Sequence, residues 1–90
     1  MGQGIYSFRG VKVVIQHKTS FHYVKSDTDW TEDALKAHDF QRVQDAAEFC
    51  RKHNLQKAYI VAGDFNAEAK RFNAATKSIL DVAQLRSQPA

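Results

Sequence analysis

Apolar and polar residues alternate along residues 11–16, VKVVIQ, and this period of two predicts a β-strand with one buried face. Residues 21–25, FHYVK, are rich in β-branched and aromatic side chains, which also favour a strand. With the apolar residues at 5–8, they predict a meander of two or three antiparallel strands within residues 4–25. A further strand is expected at residues 57–65, where a continuous apolar run is typical of the centre of a sheet.

Two later stretches show the spacing of amphipathic helices. Over residues 41–53, apolar residues recur three and four positions apart and charged residues occupy the other face. Asn54 suits the C-terminal cap of that helix. A second helix is predicted over residues 67–85, and Asp64 or Asn66 suits its N-terminal cap. Its apolar face would consist of Ala69, Phe72, Ala75, Ile79, Val82 and Ala83.

The stretch between the meander and the first helix is ambiguous. Residues 26–33, SDTDWTED, are polar and rich in capping residues. Residues 34–40 fit either a short helix or an extended run. We favour a short helical turn followed by an extended stretch.

These elements predict an α+β fold in the order β-β-(β)-α-β-α. It consists of a small antiparallel or mixed sheet of three to four strands, with two main helices packed on one face. We expect one domain over residues 1–85 and a frayed tail at 86–90. No apolar run approaches the length of a membrane span, and no signal-peptide pattern is present. The lone Cys50 cannot form an intramolecular disulfide, so we expect a cytoplasmic protein.

The net charge of +3 is unevenly distributed along the 90 residues. Residues 1–25 carry basic side chains and no acidic ones, residues 26–49 are acidic on balance, and residues 50–90 are basic again. Such asymmetry can mark a surface that binds a polyanion. It can equally reflect complementary charges within one domain, which is the interpretation we prefer.

The first 25 residues combine basic and aromatic side chains, as do sheets that bind single-stranded nucleic acid. The candidate nucleic-acid-binding residues are Tyr6, Arg9, Lys12, Lys18, Tyr23 and Lys25. In the competing arrangement, the aromatic side chains of this sheet, Phe21 and Tyr23 among them, face inwards beneath the helices. We favour this arrangement, because two amphipathic helices need an apolar sheet face to cover.

Residues 60–66, IVAGDFN, resemble the GDFN signature of the endonuclease/exonuclease/phosphatase family. The resemblance implies that Asp64 and Asn66 would serve a metal-assisted phosphodiester site. That family also requires a metal-binding Glu and a catalytic His near the end of a much larger domain, and no His follows Asn66 in this chain. We therefore interpret the string as the end of a strand followed by a helix cap.

The other chemistry-bearing residues follow no catalytic or metal-binding pattern. The four histidines lack the spacing of zinc ligands, and the acidic stretch at residues 27–33 lacks the central Gly and the Glu at the twelfth position of a calcium loop. Cys50 falls on the apolar helix face, where we expect a buried, unreactive thiol. These patterns predict no catalytic residue, no metal and no cofactor.

The sequence thus favours a small non-enzymatic binding or regulatory protein of bacterial or phage accessory type. We expect it to act through contact with a protein partner or by self-association, without contact to a membrane. The alternative is a nucleic-acid-binding module that uses the basic, aromatic N-terminal sheet.

Overall fold

The computed structural model describes the backbone of residues 11–86 and the side chains of residues 11–84. The apolar stretch at 5–8, together with Tyr6 and Arg9, lies outside these residues. The strands are β1 (Val11–His17), β2 (Tyr23–Val24), β3 (Trp30–Thr31), β4 (Ala58–Asn66), β5 (Arg71–Phe72) and β6 (Ser78–Asp81). A 3₁₀ turn lies at Ala34–Lys36, and the α-helices are α1 (Val43–Lys52) and α2 (Val82–Arg86).

All six strands belong to one antiparallel sheet, in which β3, β2, β1 and β4 follow one another in space. The β1–β4 pair is the longest and runs from Val11 opposite Asp64 to His17 opposite Ala58. Both β5 and β6 pair with the other edge of β4. β4 is therefore the central strand, as its continuous apolar run predicts.

The two faces of the sheet have different coverings. One face, which we call the helix face, packs against α1, and its core unites Ile15 and Ile60 with Ala46 and Cys50 one helical turn apart. On the opposite face, the far face, Val14 and Val61 are buried among Ala37, Tyr23, Tyr59 and Phe72. The alternation of side chains along β1 and β4 produces this division.

The segment between the 3₁₀ turn and α1 crosses from the far face to the helix face along the edge of β1. The backbone N–H of Phe40 donates to the carbonyl of Val13 at 2.8 Å. The N–H of Val13 donates to Oδ1 of Asp39 at 3.0 Å. These bonds provide partners for backbone groups of β1 that lie beyond the end of the short β2. The expected helical turn followed by an extended stretch is thereby confirmed.

The predicted fold class is wrong. The sheet has six antiparallel strands instead of three or four, and α1 is the one helix longer than five residues between residues 11 and 86. The helix predicted over residues 67–85 does not form, and most of that stretch forms β5, β6 and the loops around them. Two main helices packed on one face are therefore replaced by one helix on a larger sheet.

Local hydrogen bonds and pairing with β4 explain why residues 67–85 do not continue as a helix. Oδ1 of Asn66 accepts the N–H groups of Glu68 and Ala69 at 2.9 and 3.0 Å, and Oδ1 of Asn73 accepts that of Ala75 at 2.9 Å. Asn side chains that bond nearby backbone groups in this way occur in turns as well as at helix N-termini, so pairing with β4 decides between the two. The unpaired edge of β4 then supplies partners for the backbone of β5 and β6.

The other predicted elements agree more closely with the structure. The helix expected at residues 41–53 is confirmed as α1, and Asn54 follows its end with φ +55°. That left-handed conformation is the usual way for Asn to end a helix. The strands expected at 11–16 and 57–65 are confirmed as β1 and β4. In the described part of the chain, no helix is long and apolar enough to cross a membrane.

Candidate functional site

The β4–β5 hairpin and the loop after it form the most irregular part of the sheet. Phe65 pairs with Phe72 and Ala62 pairs with Ser78. Residues 73–77 therefore stand opposite only Gly63 and Asp64, and the chain must leave the sheet before it returns as β6. This insertion behaves as an enlarged β-bulge, a feature that re-aims side chains at the rim of a sheet.

Hydrogen bonds fix the bulge. The N–H of Asn73 donates to the carbonyl of Asp64 at 2.8 Å, and the N–H groups of Thr76 and Lys77 donate to the carbonyl of Asn73. The N–H of Asp64 donates to Oγ1 of Thr76 at 3.1 Å. The loop is thus held against β4 at both of its ends.

A concavity of about 1050 Å³ lies along this hairpin and reaches Tyr23 of β2. We call it the hairpin concavity. Three aromatic rings line it: Tyr23, Phe65 and Phe72. The rings of Phe65 and Phe72 meet edge to face, with centroids 5.1 Å apart. Phe65 is buried, whereas Tyr23 and Phe72 are half-buried, so each of these two rings keeps surface that a ligand can contact.

Three cationic side chains, Lys70, Arg71 and Lys77, also line the hairpin concavity. Within residues 11–84, none of the three donates a side-chain hydrogen bond or forms an ion pair. Asp64 is the one acidic residue of the lining. The concavity therefore combines aromatic surface with uncompensated positive charge.

Lys12 and Lys18, two of the expected nucleic-acid-binding residues, each contact another part of the domain. Nζ of Lys12 donates to the carbonyls of Ala34 and Leu35 at 2.9 and 3.2 Å and lies 4.4 Å from the ring centroid of Phe65. Burial lowers the pKa of Lys12, although the nearby Asp39 and Asp33 oppose this shift. Lys18 forms an ion pair with Asp81, with Nζ and Oδ1 2.7 Å apart.

Of the other candidates, only Tyr23 belongs to the hairpin concavity. Burial raises the pKa of its phenol. It lies on the far face, away from α1, although we expected it beneath the helices, and Phe21 is 61% exposed. Lys25 lines a separate cavity of about 410 Å³ beside Phe40 and Phe49. Tyr6 and Arg9 belong to the residues that the structure does not describe.

The helix predicted over residues 67–85 includes Lys70, Arg71, Phe72 and Lys77, so none of these four was among the candidate binding residues. The turn-forming Asn66 and Asn73, on either side of residues 67–72, were the signal for a hairpin. Lys70 itself has φ +58°, a conformation typical of a turn residue. A hairpin would have placed these four residues near one edge of the sheet.

Asp64 and Asn66 have different surroundings in this structure. The amide oxygen of Asn66 is occupied by two backbone N–H groups, and the described residues contain no cluster of three or more His, Cys, Asp or Glu that could hold a metal ion. The GDFN string instead ends β4 and begins the hairpin turn. The helix cap expected here is thus a turn cap.

The side chains of Asn66 and Asp64 make different contacts, so their removal should lower the free energy of unfolding by different amounts. Asn66→Ala removes the acceptor of two N–H groups and should lower the free energy of unfolding by about 1 kcal/mol. Asp64→Ala should cost less than about 0.5 kcal/mol, because its carboxylate accepts no hydrogen bond from residues 11–84. Urea unfolding of both variants measures the difference. A larger loss for Asp64→Ala would show that its carboxylate has the capping role.

No protein-family model matches the chain, and no curated protein or solved structure is detectably similar to it. The functional inference therefore rests on the geometry of the described residues.

Proposed function

We propose that this protein is a non-catalytic binding module and that its hairpin concavity binds single-stranded nucleic acid. One observation carries the proposal: half-buried aromatic rings and unpaired cations line the same open concavity. Proteins that bind single strands use aromatic faces to stack bases and basic side chains to neutralise phosphates. Both functions are available here within one hairpin and its neighbour β2.

Tyr23 and Phe72 supply the stacking surfaces, and the buried Phe65 supports the ring of Phe72 from its edge. Lys70, Arg71 and Lys77 supply charge for the backbone of the ligand. Since the concavity is open and its aromatic contacts are not base-specific, we expect binding with little sequence preference.

The lining also includes Asn66 and Asn73. Their Oδ1 atoms are occupied by backbone N–H groups. Their Nδ2 groups donate no hydrogen bond to residues 11–84 and remain free to donate to base edges or phosphates.

A second function, contact with a protein, was the leading expectation from the sequence. One observation favours it: β6 has a free edge that carries the exposed Ile79. Lys77 adjoins both this edge and the hairpin concavity, so substitutions at Phe72 and at Ile79 are the ones that separate the two functions.

The nucleic-acid proposal can be tested by removing three cations at the concavity and three elsewhere. The site variant is Lys70→Ala/Arg71→Ala/Lys77→Ala. Its matched control is Lys36→Ala/Lys52→Ala/Lys57→Ala, which removes the same charge from exposed positions outside the concavity. Affinity for a short oligothymidine is measured by fluorescence anisotropy over a range of salt concentrations.

We expect the site variant to lose about tenfold or more in affinity, with the control within about threefold of the wild type. The slope of log affinity against log salt should change from about −2 to near zero in the site variant, because three phosphate contacts are lost. Equal losses in the two variants would refute the proposal, since general electrostatic attraction would then suffice.

Stacking is tested separately with Phe72→Leu, which retains apolar bulk but removes the ring. Affinity should fall about tenfold without a change in salt slope. In an NMR titration at about 150 mM salt, where surface charges are largely screened, shifts should centre on Tyr23, Arg71 and Phe72. Shifts confined to Lys12 and Lys18 would place the site elsewhere.

A further inference from the structure

β6 forms a free edge of the sheet. It pairs with β4 on one side, and no other strand between residues 11 and 86 pairs with its outer side. In an antiparallel ladder, backbone N–H and C=O groups point alternately to either side. The outer groups of β6 are therefore a template for another strand. The chain after β6 turns towards the helix face, where Val82 joins the core, and leaves this edge open.

An apolar side chain lies at the middle of the edge. Ile79 stands opposite Val61 on the far face and is 55% exposed. The sheet's other outermost strands, β3 and β5, have only two residues each, whereas β6 has four. Natural edges are commonly protected by shortness or by charged residues. β6 lacks a charge at its centre, so it is the edge better suited to pairing.

We infer that a second copy of this chain pairs with β6, antiparallel and about a two-fold axis at Ile79. This register places Ile79 against Ile79 of the second copy. It also places Lys77, just before β6, opposite Asp81 of the second copy. By symmetry, Asp81 lies opposite Lys77 of the second copy. Directly opposed side chains of opposite charge stabilise such a pair.

The charges select this arrangement over others. A parallel pairing in register would oppose Lys77 to Lys77 and Asp81 to Asp81, and like charges directly opposite are destabilising. Hydrogen bonds from Lys18 and then from the N–H of Ala83 lower the pKa of Asp81, so its carboxylate is ionised at neutral pH. A two-fold contact also closes on itself, whereas pairing of β6 with β3 of another copy would generate an open chain of molecules.

Disulfide trapping tests the register directly. Cys replacing Ile79 would face its symmetry mate at a distance that a disulfide can span. The native Cys50 is buried and should not interfere. Under mild oxidation, Ile79→Cys should form covalent dimers, whereas Val43→Cys, an exposed control at the start of α1, should remain monomeric.

Sedimentation equilibrium across the micromolar range provides the second measurement. The wild type should dimerise, and Ile79→Lys should weaken the dimer by about tenfold or more, while Val43→Lys leaves it unchanged. Lys77→Asp and Asp81→Lys should each weaken self-association, and an equimolar mixture of the two should restore it as a heterodimer. Circular dichroism verifies that each variant folds.

Two results would overturn the inference. One is a wild type that stays monomeric throughout this range, with Ile79→Cys cross-linking no faster than Val43→Cys. The other is a dimer that persists unchanged in both Ile79→Lys and Lys77→Asp, since its interface would then lie elsewhere. Neither measurement involves nucleic acid, so the outcome does not depend on the function proposed for the hairpin concavity.

Discussion

Replacement of Gly63 by Ala or Val should cause one of the largest losses of stability of any single substitution in this chain. Gly63 has φ +154°, a conformation that side chains rarely adopt. A Cβ atom there would lie 2.9 Å from the carbonyl oxygen of Thr76 and 2.9 Å from the Cα of Lys77. Both are backbone atoms, so a rotamer change cannot relieve the overlap. The loop that carries Lys77 must move away from β4.

Backbone strain of this kind costs about 1–3 kcal/mol, and the displaced loop also loses the bond from the N–H of Asp64 to Thr76. A domain of this size has roughly 5–13 kcal/mol of stability in total. We therefore expect Gly63→Ala to lower the melting temperature by about 10 °C or more, with a greater loss for Gly63→Val. Differential scanning calorimetry measures the change.

Ser78→Ala is the matched control, because Ser78 is exposed and lies at the start of β6 beyond the same loop. It should change stability by less than about 0.5 kcal/mol. A Gly63→Ala protein that melts within a degree or two of the wild type would show that the loop can move without cost. The close packing of the bulge on β4 would then be irrelevant to stability.

The elements that could be predicted from the sequence are those with long, regular patterns. β1, β4 and α1 each contain at least seven residues, enough for a period of two, a continuous apolar run or a helical period to be recognised. The stretch after β4 could not be assigned in this way. β5 and β6 have two and four residues, too few to display alternation.

Phe72 and Ile79 illustrate the resulting error. They are seven positions apart, a spacing that fits two turns of a helix, and Ala69, Ala75 and Val82 complete the same helical face. In the structure, both side chains point to the far face, from two strands separated by a bulge. The pairing of these strands with β4 decides their conformation, and such tertiary context overrides local propensity.

The contacts of the candidate residues could not be predicted for a related reason. Basic and aromatic residues were recognised as a binding pattern. Whether a lysine side chain already has a hydrogen-bond or ion-pair partner, however, depends on residues far away in the sequence. Lys12 is engaged by carbonyls 22 and 23 positions away, and Lys18 by Asp81, 63 positions away. Lys70 and Arg71, in contrast, form no side-chain hydrogen bond or ion pair within residues 11–84. Tyr23 belongs both to the expected set and to the lining of the hairpin concavity.

Labelling of Cys50 should be strongly suppressed in the folded protein. The thiol is 2% exposed and packs in the helix-face core with Ala46 and Ile60. Burial raises its pKa from 9.0 to about 11. Because the thiolate is the reactive form, this shift alone reduces the reactive fraction at pH 8 by about 100-fold. Exclusion of the reagent adds to this, so reaction should require opening of the protein.

The measurement compares the rate of reaction with a disulfide reagent in buffer and in denaturant. We expect native labelling to be slower by more than about 100-fold. A Cys50→Ala/Val43→Cys protein, whose thiol lies at an exposed position of the same helix, should react at similar rates in both conditions. Native labelling of Cys50 within about tenfold of the denatured rate would indicate that α1 presents a different face to the sheet.

The same thiol predicts how stability depends on pH. The pKa of the Cys50 thiol is 9.0 in the unfolded chain and about 11 in the folded protein. Since the folded pKa is the higher one, the contribution of Cys50 is complete below pH 9.0 and is lost as pH rises towards 11. The wild type should therefore lose stability over this interval relative to Cys50→Ala, which has no thiol to ionise. Parallel slopes of melting temperature against pH would mean that Cys50 is solvated in the native state.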